Sequence, residues 1–155
     1  MQATVPVILT FTATALNGVL VGASLDQSIK QLPARHRIGM IAFSAYSRAA
    51  DLGNGIAWYA FLGVSSALVT IAAAVATIIS GSAHTLPILI AAILSVFHSI
   101  ATSQAAPTNF SQRRVANDEA ALIAVFNKFE WWQTVRAILQ VLSFAATLWA
   151  LFVQG

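Results

Sequence analysis

The sequence predicts an all-α integral membrane protein: a bundle of four transmembrane helices, with an interfacial or extended helix in the first connection. Three observations predict it. Of 155 residues, 58% are hydrophobic and only 8% charged, where soluble domains carry about 25% charged residues. Four apolar runs are long enough to cross a hydrocarbon core of about 30 Å as helices. Seven of the eight Lys and Arg residues fall in two connecting segments, leaving Arg136 alone inside an apolar run. The whole chain, residues 1–155, reads as one domain.

The first run, Val5–Leu25, has no basic stretch ahead of it and no A-x-A site before the polar segment. It is expected to be a mature helix rather than a signal peptide. The connection Asp26–Leu52 carries Lys30, Arg35, Arg37 and Arg48. Within it, Ala34–Ala50 has helical spacing, with Ile38, Ile41, Ala42 and Ala45 on one face and Arg35 and Arg48 off it. That segment is expected to lie along the interface or to extend the second span, with Pro33 at its start. The second run, Gly53–Ser80, is over-long and implies tilt or a frayed end. The third, Thr85–Ala105, is expected to end at Pro107. The connection Ala106–Glu130 carries Arg113, Arg114 and Lys128, and Asn117-Asp118 can start a helix that runs into the last apolar run, Trp131–Val153. Trp131 and Trp132 suit headgroup depth. Because the short turn Gly81–His84 and both termini carry no Lys or Arg, the positive-inside rule places both longer connections in the cytoplasm and both termini outside.

Polar residues recur at helical spacing within each run. On the last run they are Gln133, Arg136, Gln140, Ser143 and Thr147; on the first, Thr10, Thr14, Asn17 and Ser24, beside Gly18 and Gly22. The second offers Asp51, Asn54, Trp58 and Ser65, and the third Ser95, His98 and Thr102. Lipid satisfies none of these groups, so all four stripes should turn inward. Ser, Thr and the Gly18-x-x-x-Gly22 pair are ordinary helix-packing devices. The rarer groups, Asn17, Asp51, Asn54, His98, Gln133 and Arg136, all fall in the cytoplasmic half and suggest one polar pocket near the inner leaflet. An intramembrane Arg costs several kcal/mol unless it faces protein, water or a ligand. Arg136 is therefore expected to bond, directly or through one water, to Asn17, Asp51, His98 or Asn109.

Some function classes are excluded by pattern. The chain has no cysteine, hence no thiol nucleophile or thiolate metal site. Its three histidines are too scattered for a metal motif, and it has no phosphate-binding loop or nucleophile elbow. The pI near 10 reflects basic residues flanking spans and does not call for nucleic acid.

After the third run stand Pro107-Thr108-Asn109 and Arg113-Arg114, and the fourth opens with Trp131-Trp132-Gln133-Thr134-Val135-Arg136. With the first span's glycines and Asp26 just beyond, this resembles the DUF1772 family, the anthrone-oxygenase-like four-helix membrane proteins. Many members of that family carry His where Gln133 stands. The resemblance implies oxygenation of a hydroxyaromatic, anthrone-like substrate without metal or cofactor, through a base-generated enolate held by Arg and Asn. On that reading His98, Arg136 and Asp51 are catalytic, with His98 the base and Asp51 its competitor. Asn17, Asn54, Trp58, Asn109, Trp132, Gln133 and Gln140 would line the substrate site. Two other classes fit the same stripes: a membrane hydrolase of an apolar ester or lactone, with His98 activating water, and a binding or transport protein for an apolar anion. A proton-coupled cation exporter would need a carboxylate deeper than Asp51. The expected partners are a lipophilic small molecule and the lipid bilayer, with homo-oligomers left open. The expected setting is a bacterial inner membrane or a fungal membrane.

Overall fold

The computed structural model describes residues 4–154, and every regular element in that range is helical. Helix α1 (Thr4–Leu25) passes through a wide π-type turn, Asp26–Gln31, into α2 (Leu32–Ile38). After Gly39, α3 (Met40–Ala49) passes through a second wide turn, Ala50–Asn54, into α4 (Gly55–Ile79). Helix α5 (Leu86–Ser111) ends in a 3₁₀ turn, Gln112–Arg114, and α6 (Glu119–Gln154) closes the chain. Four helical stretches, built around α1, α4, α5 and α6, are long and apolar enough to cross a membrane. They form a ring in which α1 packs on α4 and α6, and α5 packs on the same two.

Both charged connections meet at one end of this ring. Arg35 is only 2% exposed and pairs with Glu130 at 2.6 Å, its other terminal nitrogen donating to the Leu32 carbonyl at 2.9 Å. Phe43 of α3 meets Phe126 of α6 edge to face at 4.9 Å. These bulky side chains belong to a core with Leu32, Leu122 and Phe129. At the opposite end the core is built mostly from small residues, Ala73, Ala74, Ala91, Ala146 and Ala150, with Ile88. Small residues let helix backbones approach closely. The bundle is thus drawn tight at the uncharged end and filled by large side chains at the charged end, where there is room for a cavity.

Several expectations are met. The Asp118 carboxylate accepts from the Ala121 N–H at 3.0 Å, the N-cap of a single helix that runs through Trp131 to Gln154. The first connection does extend the second span, since α3 leads into α4. Trp131 faces outward, 66% exposed, whereas Trp132 packs against the bulky core.

Others are corrected. Pro107 does not end the third span: α5 continues to Ser111. A proline removes one N–H and leaves the carbonyl four residues back without its partner. Here Pro107 and Ser103 are both exposed, so that carbonyl can be met from outside the bundle. The segment Ala34–Ala50 is not one helix, because Gly39 has φ 87° and ψ 153°, a region almost reserved for glycine. Its apolar face (Ile38, Ile41, Ala42, Ala45) points outward, and the opposite side, with Ser44 and Ser47, is buried. On the second span, Asn54 is exposed and Trp58 is 52% exposed. The wide turn at Ala50–Asn54 inserts extra residues and shifts the helical phase. The inward stripe of α4 therefore runs through Leu62, Ser66, Thr70 and Thr77. Of the two first-span glycines, only Gly18 is at a close approach, its missing Cβ position 3.1 Å from the Phe144 ring; Gly22 has open space.

Candidate functional site

The inward stripes form two polar groupings rather than one. The deeper is a closed hydrogen-bond network centred on Asn17. Its amide donates to the Ala13 carbonyl at 2.8 Å and to the Thr70 hydroxyl at 2.9 Å. Its oxygen accepts from Gln140 at 2.7 Å and from Ser143 at 3.3 Å. Ser143 also reaches Ser95 at 3.2 Å and the Ala91 carbonyl at 3.3 Å. This network ties all four spans together at one level. Asn17 spends all its polar atoms on protein partners and Gln140 its amide nitrogen, and neither residue lines the cavity described next.

The second grouping lines a cavity of about 270 Å³ toward the charged end, among them Asp51, Tyr59, Thr102, Asn109, Phe129 and Arg136. Asp51 lies in the wide turn between α3 and α4. Gly53 there has non-helical φ −96° and ψ −116°. At Gly55 a Cβ would stand 2.7 Å from the Ala50 carbonyl oxygen, so only glycine allows this close return of the chain. The freed Leu52 carbonyl is met by Arg113 at 2.8 Å, and the Ser47 hydroxyl donates to Asp51 Oδ2 at 2.8 Å. The irregular backbone and its two tethers place the carboxyl at the cavity wall.

The hydrogen bonds also determine how Asn109 is presented. Because Ser47 donates its only proton to Asp51, it must accept from Gln112, whose Nε2 lies 3.3 Å away. The same Nε2 donates to Asn109 Oδ1 at 2.6 Å, and Gln112 Oε1 accepts from Ser44 at 3.1 Å. Asn109 therefore turns its oxygen to Gln112 and keeps its amide N–H donors for the cavity.

Arg136 is half-buried. Its Nη1 donates to Gln133 Oε1 at 3.0 Å, while its Nε is enclosed with no partner among the described residues. Gln133 is in turn held by the Ser24 carbonyl at 3.2 Å and Ser28 at 3.3 Å. Gln133 thus orients the guanidinium and does not reach the cavity itself. None of the four expected partners, Asn17, Asp51, His98 and Asn109, hydrogen-bonds Arg136 directly; Asp51 and Asn109 share its cavity instead. Two helical turns back along α6 from Ser143, paired with Ser95, Arg136 stands opposite Thr102 of the antiparallel α5. His98 is one turn deeper. It is 4% exposed, its Nε2 has no partner among the described residues, and it looks into an adjoining cavity that shares Tyr59 and Thr102 with the first.

The site therefore gathers Asp51, Asn109 and Arg136, with His98 next door, and leaves out Asn17, Asn54, Trp58, Trp132, Gln133 and Gln140. It adds Tyr59, Gln27 and the positioning pair Ser47 and Gln112. Tyr59 is four residues past Gly55, one turn into the re-phased helix, a signal hidden by assuming uniform spacing through the turn. Gln112 lies in what reads as a loop, and only folding shows it fully buried. Chemically the cavity offers a carboxylate, two kinds of fixed N–H donor and otherwise apolar walls. Among the described residues, no three His, Asp or Glu side chains gather within metal-binding reach.

If Asn17 is structural, Asn17→Ala should lower thermal stability in detergent by about 1–3 kcal/mol, the cost of stranding buried partners. Ligand affinity in the folded fraction should be unchanged, and Asn54→Ala should change neither. No protein-family model, curated protein or solved structure matches the chain.

Proposed function

We propose that this protein is a membrane-embedded enzyme that oxygenates a lipophilic hydroxyaromatic, anthrone-like substrate, with Arg136 and Asn109 holding the substrate oxygen and Asp51 acting as base. The observation that carries the reading is the composition of one cavity. A carboxylate and two sets of N–H donors face an apolar space from three different helical segments, and Arg136 has a single protein acceptor among the described residues. The Trp131–Arg136 motif and Pro107-Thr108-Asn109, which resemble the anthrone-oxygenase-like family, support the same reading.

The chemistry asks little of the protein. Asp51 removes a proton from the ring methylene carbon, and the electrons move onto the substrate oxygen as an enolate. Arg136 and Asn109 stabilise that oxyanion through donors already in place. The electron-rich enolate passes an electron to O₂, and the two radicals combine into a hydroperoxide once a proton returns. Loss of water then leaves a ketone, so one CH₂ and one O₂ become one C=O and one H₂O. His98 stands a turn deeper, with Nε2 enclosed, and Asp51 shares the cavity with the clamp. For that reason Asp51 is preferred to His98 as base. The excess of Lys and Arg in the two connections supports a bundle with its cavity near the cytoplasmic leaflet and both termini outside. A reporter fused after Gly155 should then be active only outside the cytoplasm, and activity only inside would reverse the orientation.

The test is turnover by purified protein in lipid nanodiscs, read as O₂ uptake and quinone formation from an anthrone. Asp51→Asn should lower kcat/KM by about 10²–10⁴-fold and Arg136→Ala by about 10²–10³-fold. Arg136→Lys should recover only part of the loss, since it offers a point charge in place of a planar fork. His98→Ala should have the smallest effect. If His98→Ala abolishes turnover and Asp51→Asn does not, the base is His98. Ester cleavage without O₂ uptake would replace the oxygenase with a hydrolase, and saturable binding without turnover would leave a carrier.

A further inference from the structure

Beyond the head cavity, a furrow continues along the seam between α4 and α5. The cavity at Arg136 and the one at His98 share Tyr59, Ala60, Thr102 and Ala106. The second shares Val64, Ser99 and Ser103 with a third hollow that reaches Ile71 on α4. From Ile56 to Ile71 the furrow follows α4 for about 22 Å at 1.5 Å per residue. That exceeds a single leaflet, about half of a 30 Å hydrocarbon core.

Apart from Tyr59 and His98 near its head end, the side chains of the furrow present no spare hydrogen-bond donor. Thr102, Ser99 and Ser103 donate their hydroxyls to the carbonyls of His98, Ser95 and Ile100 on their own helix, at 2.8, 2.9 and 2.7 Å. They therefore offer no protons to a ligand. On the facing wall α4 alternates small residues, Ala60, Gly63 and Ala67, with apolar Val64, Leu68 and Ile71, and a Cβ built on Gly63 meets nothing within 4 Å. Polar recognition is concentrated at one end, where Asp51 stands beside Arg136 and Asn109. That mixed end suits a head with both a hydroxyl proton and an acceptor oxygen. A phosphodiester head fits worse, because the Asp51 carboxylate opposes its charge.

We infer that the substrate is a hydroxyaromatic bearing one long hydrocarbon tail, its head in the Arg136 cavity and its tail in the α4–α5 furrow. The inference rests on the hydroxyaromatic reading of the head site and adds the tail. A tail running along the seam holds the head in one orientation and lets the molecule enter sideways from the bilayer.

The test uses the full chain in nanodiscs and two probes, a hydroquinone carrying a long alkyl tail and the same hydroquinone without it. Gly63→Phe fills the furrow from α4, and Ser99→Leu fills it from α5. Both variants should bind the tailed probe about tenfold or more weakly than the native protein does, with the tailless probe unchanged. Tailed binding unaffected by both variants overturns the inference. If both probes weaken together in Gly63→Phe, Ser99→Leu decides: selective loss of the tailed probe upholds the furrow, and its absence overturns it. If the native protein binds neither probe but yields a co-purified phospholipid that Gly63→Phe expels, the furrow is an ordinary lipid site and the inference falls. If the tailless probe binds natively while tail length never matters, the head reading survives and only the tail is lost.

Discussion

Hydrocarbon offers no hydrogen bonds, and the arrangement of this bundle follows from that constraint. Every span carries polar residues that must be satisfied by protein. Thr10, Thr14, Thr70 and Thr77 do so within their own helices, donating to the carbonyl four residues back. Asn17 cannot, having both donors and acceptors to satisfy, so it gathers Thr70, Gln140 and Ser143 across three helices. One asparagine thus sets the common level of the bundle, and other features can be placed by counting turns from it. Against this background, His98 Nε2 and Arg136 Nε are enclosed without a partner among the described residues, and the second of them belongs to the cation within the spans, Arg136. It has one direct acceptor, an enclosed Nε without a partner, and a cavity in front of it.

The charged end does the complementary work. The Arg35–Glu130 pair, the Phe43–Phe126 contact and the Gln112 hydrogen bonds to Ser44 and Ser47 hold the two connections against each other. Because Arg35 is buried and Glu130 is partly exposed, one charge remains in reach of water while the other is fixed. The outcome is a rigid frame around an irregular turn, and the turn carries Asp51. Backbone irregularity of this kind is commonly found at functional sites in helical proteins. Here it does a specific job: it lets α3 extend the span while placing a carboxyl at the cavity wall.

Much of this was legible in the sequence, and the misses share a cause. Four spans, the start of α6 at Asp118, and the inward stripes of the first and last spans follow from hydropathy and regular 3.6-residue spacing. So does the prominence of Arg136, as the lone cation in an apolar run. The errors occur where spacing is irregular. Asn54 and Trp58 fall inward only on an unbroken helix through Asp51, and the wide turn moves Tyr59 into that role. Arg35 reads as a residue off the apolar face of a connection helix and Gln112 as a loop residue, because nothing local shows that two connections will fold over each other. Spacing groups Asn17 with the site, because polarity alone does not separate a satisfied network from an available one. Only the hydrogen-bond partners do.

The central claim is that Arg136 holds the oxygen of a hydroxyaromatic ligand as an anion. The most direct measurement is the ultraviolet absorption of a non-oxidisable phenol bound to the protein in nanodiscs, titrated across pH. If the guanidinium faces the phenolic oxygen, an opposite charge favours the ionised form. The bound phenolate band should then appear at lower pH in the native protein than in Arg136→Ala, where the Asp51 carboxylate alone faces the phenol and opposes its ionisation. A bound phenol that ionises at the same pH in native protein and variant would contradict the account.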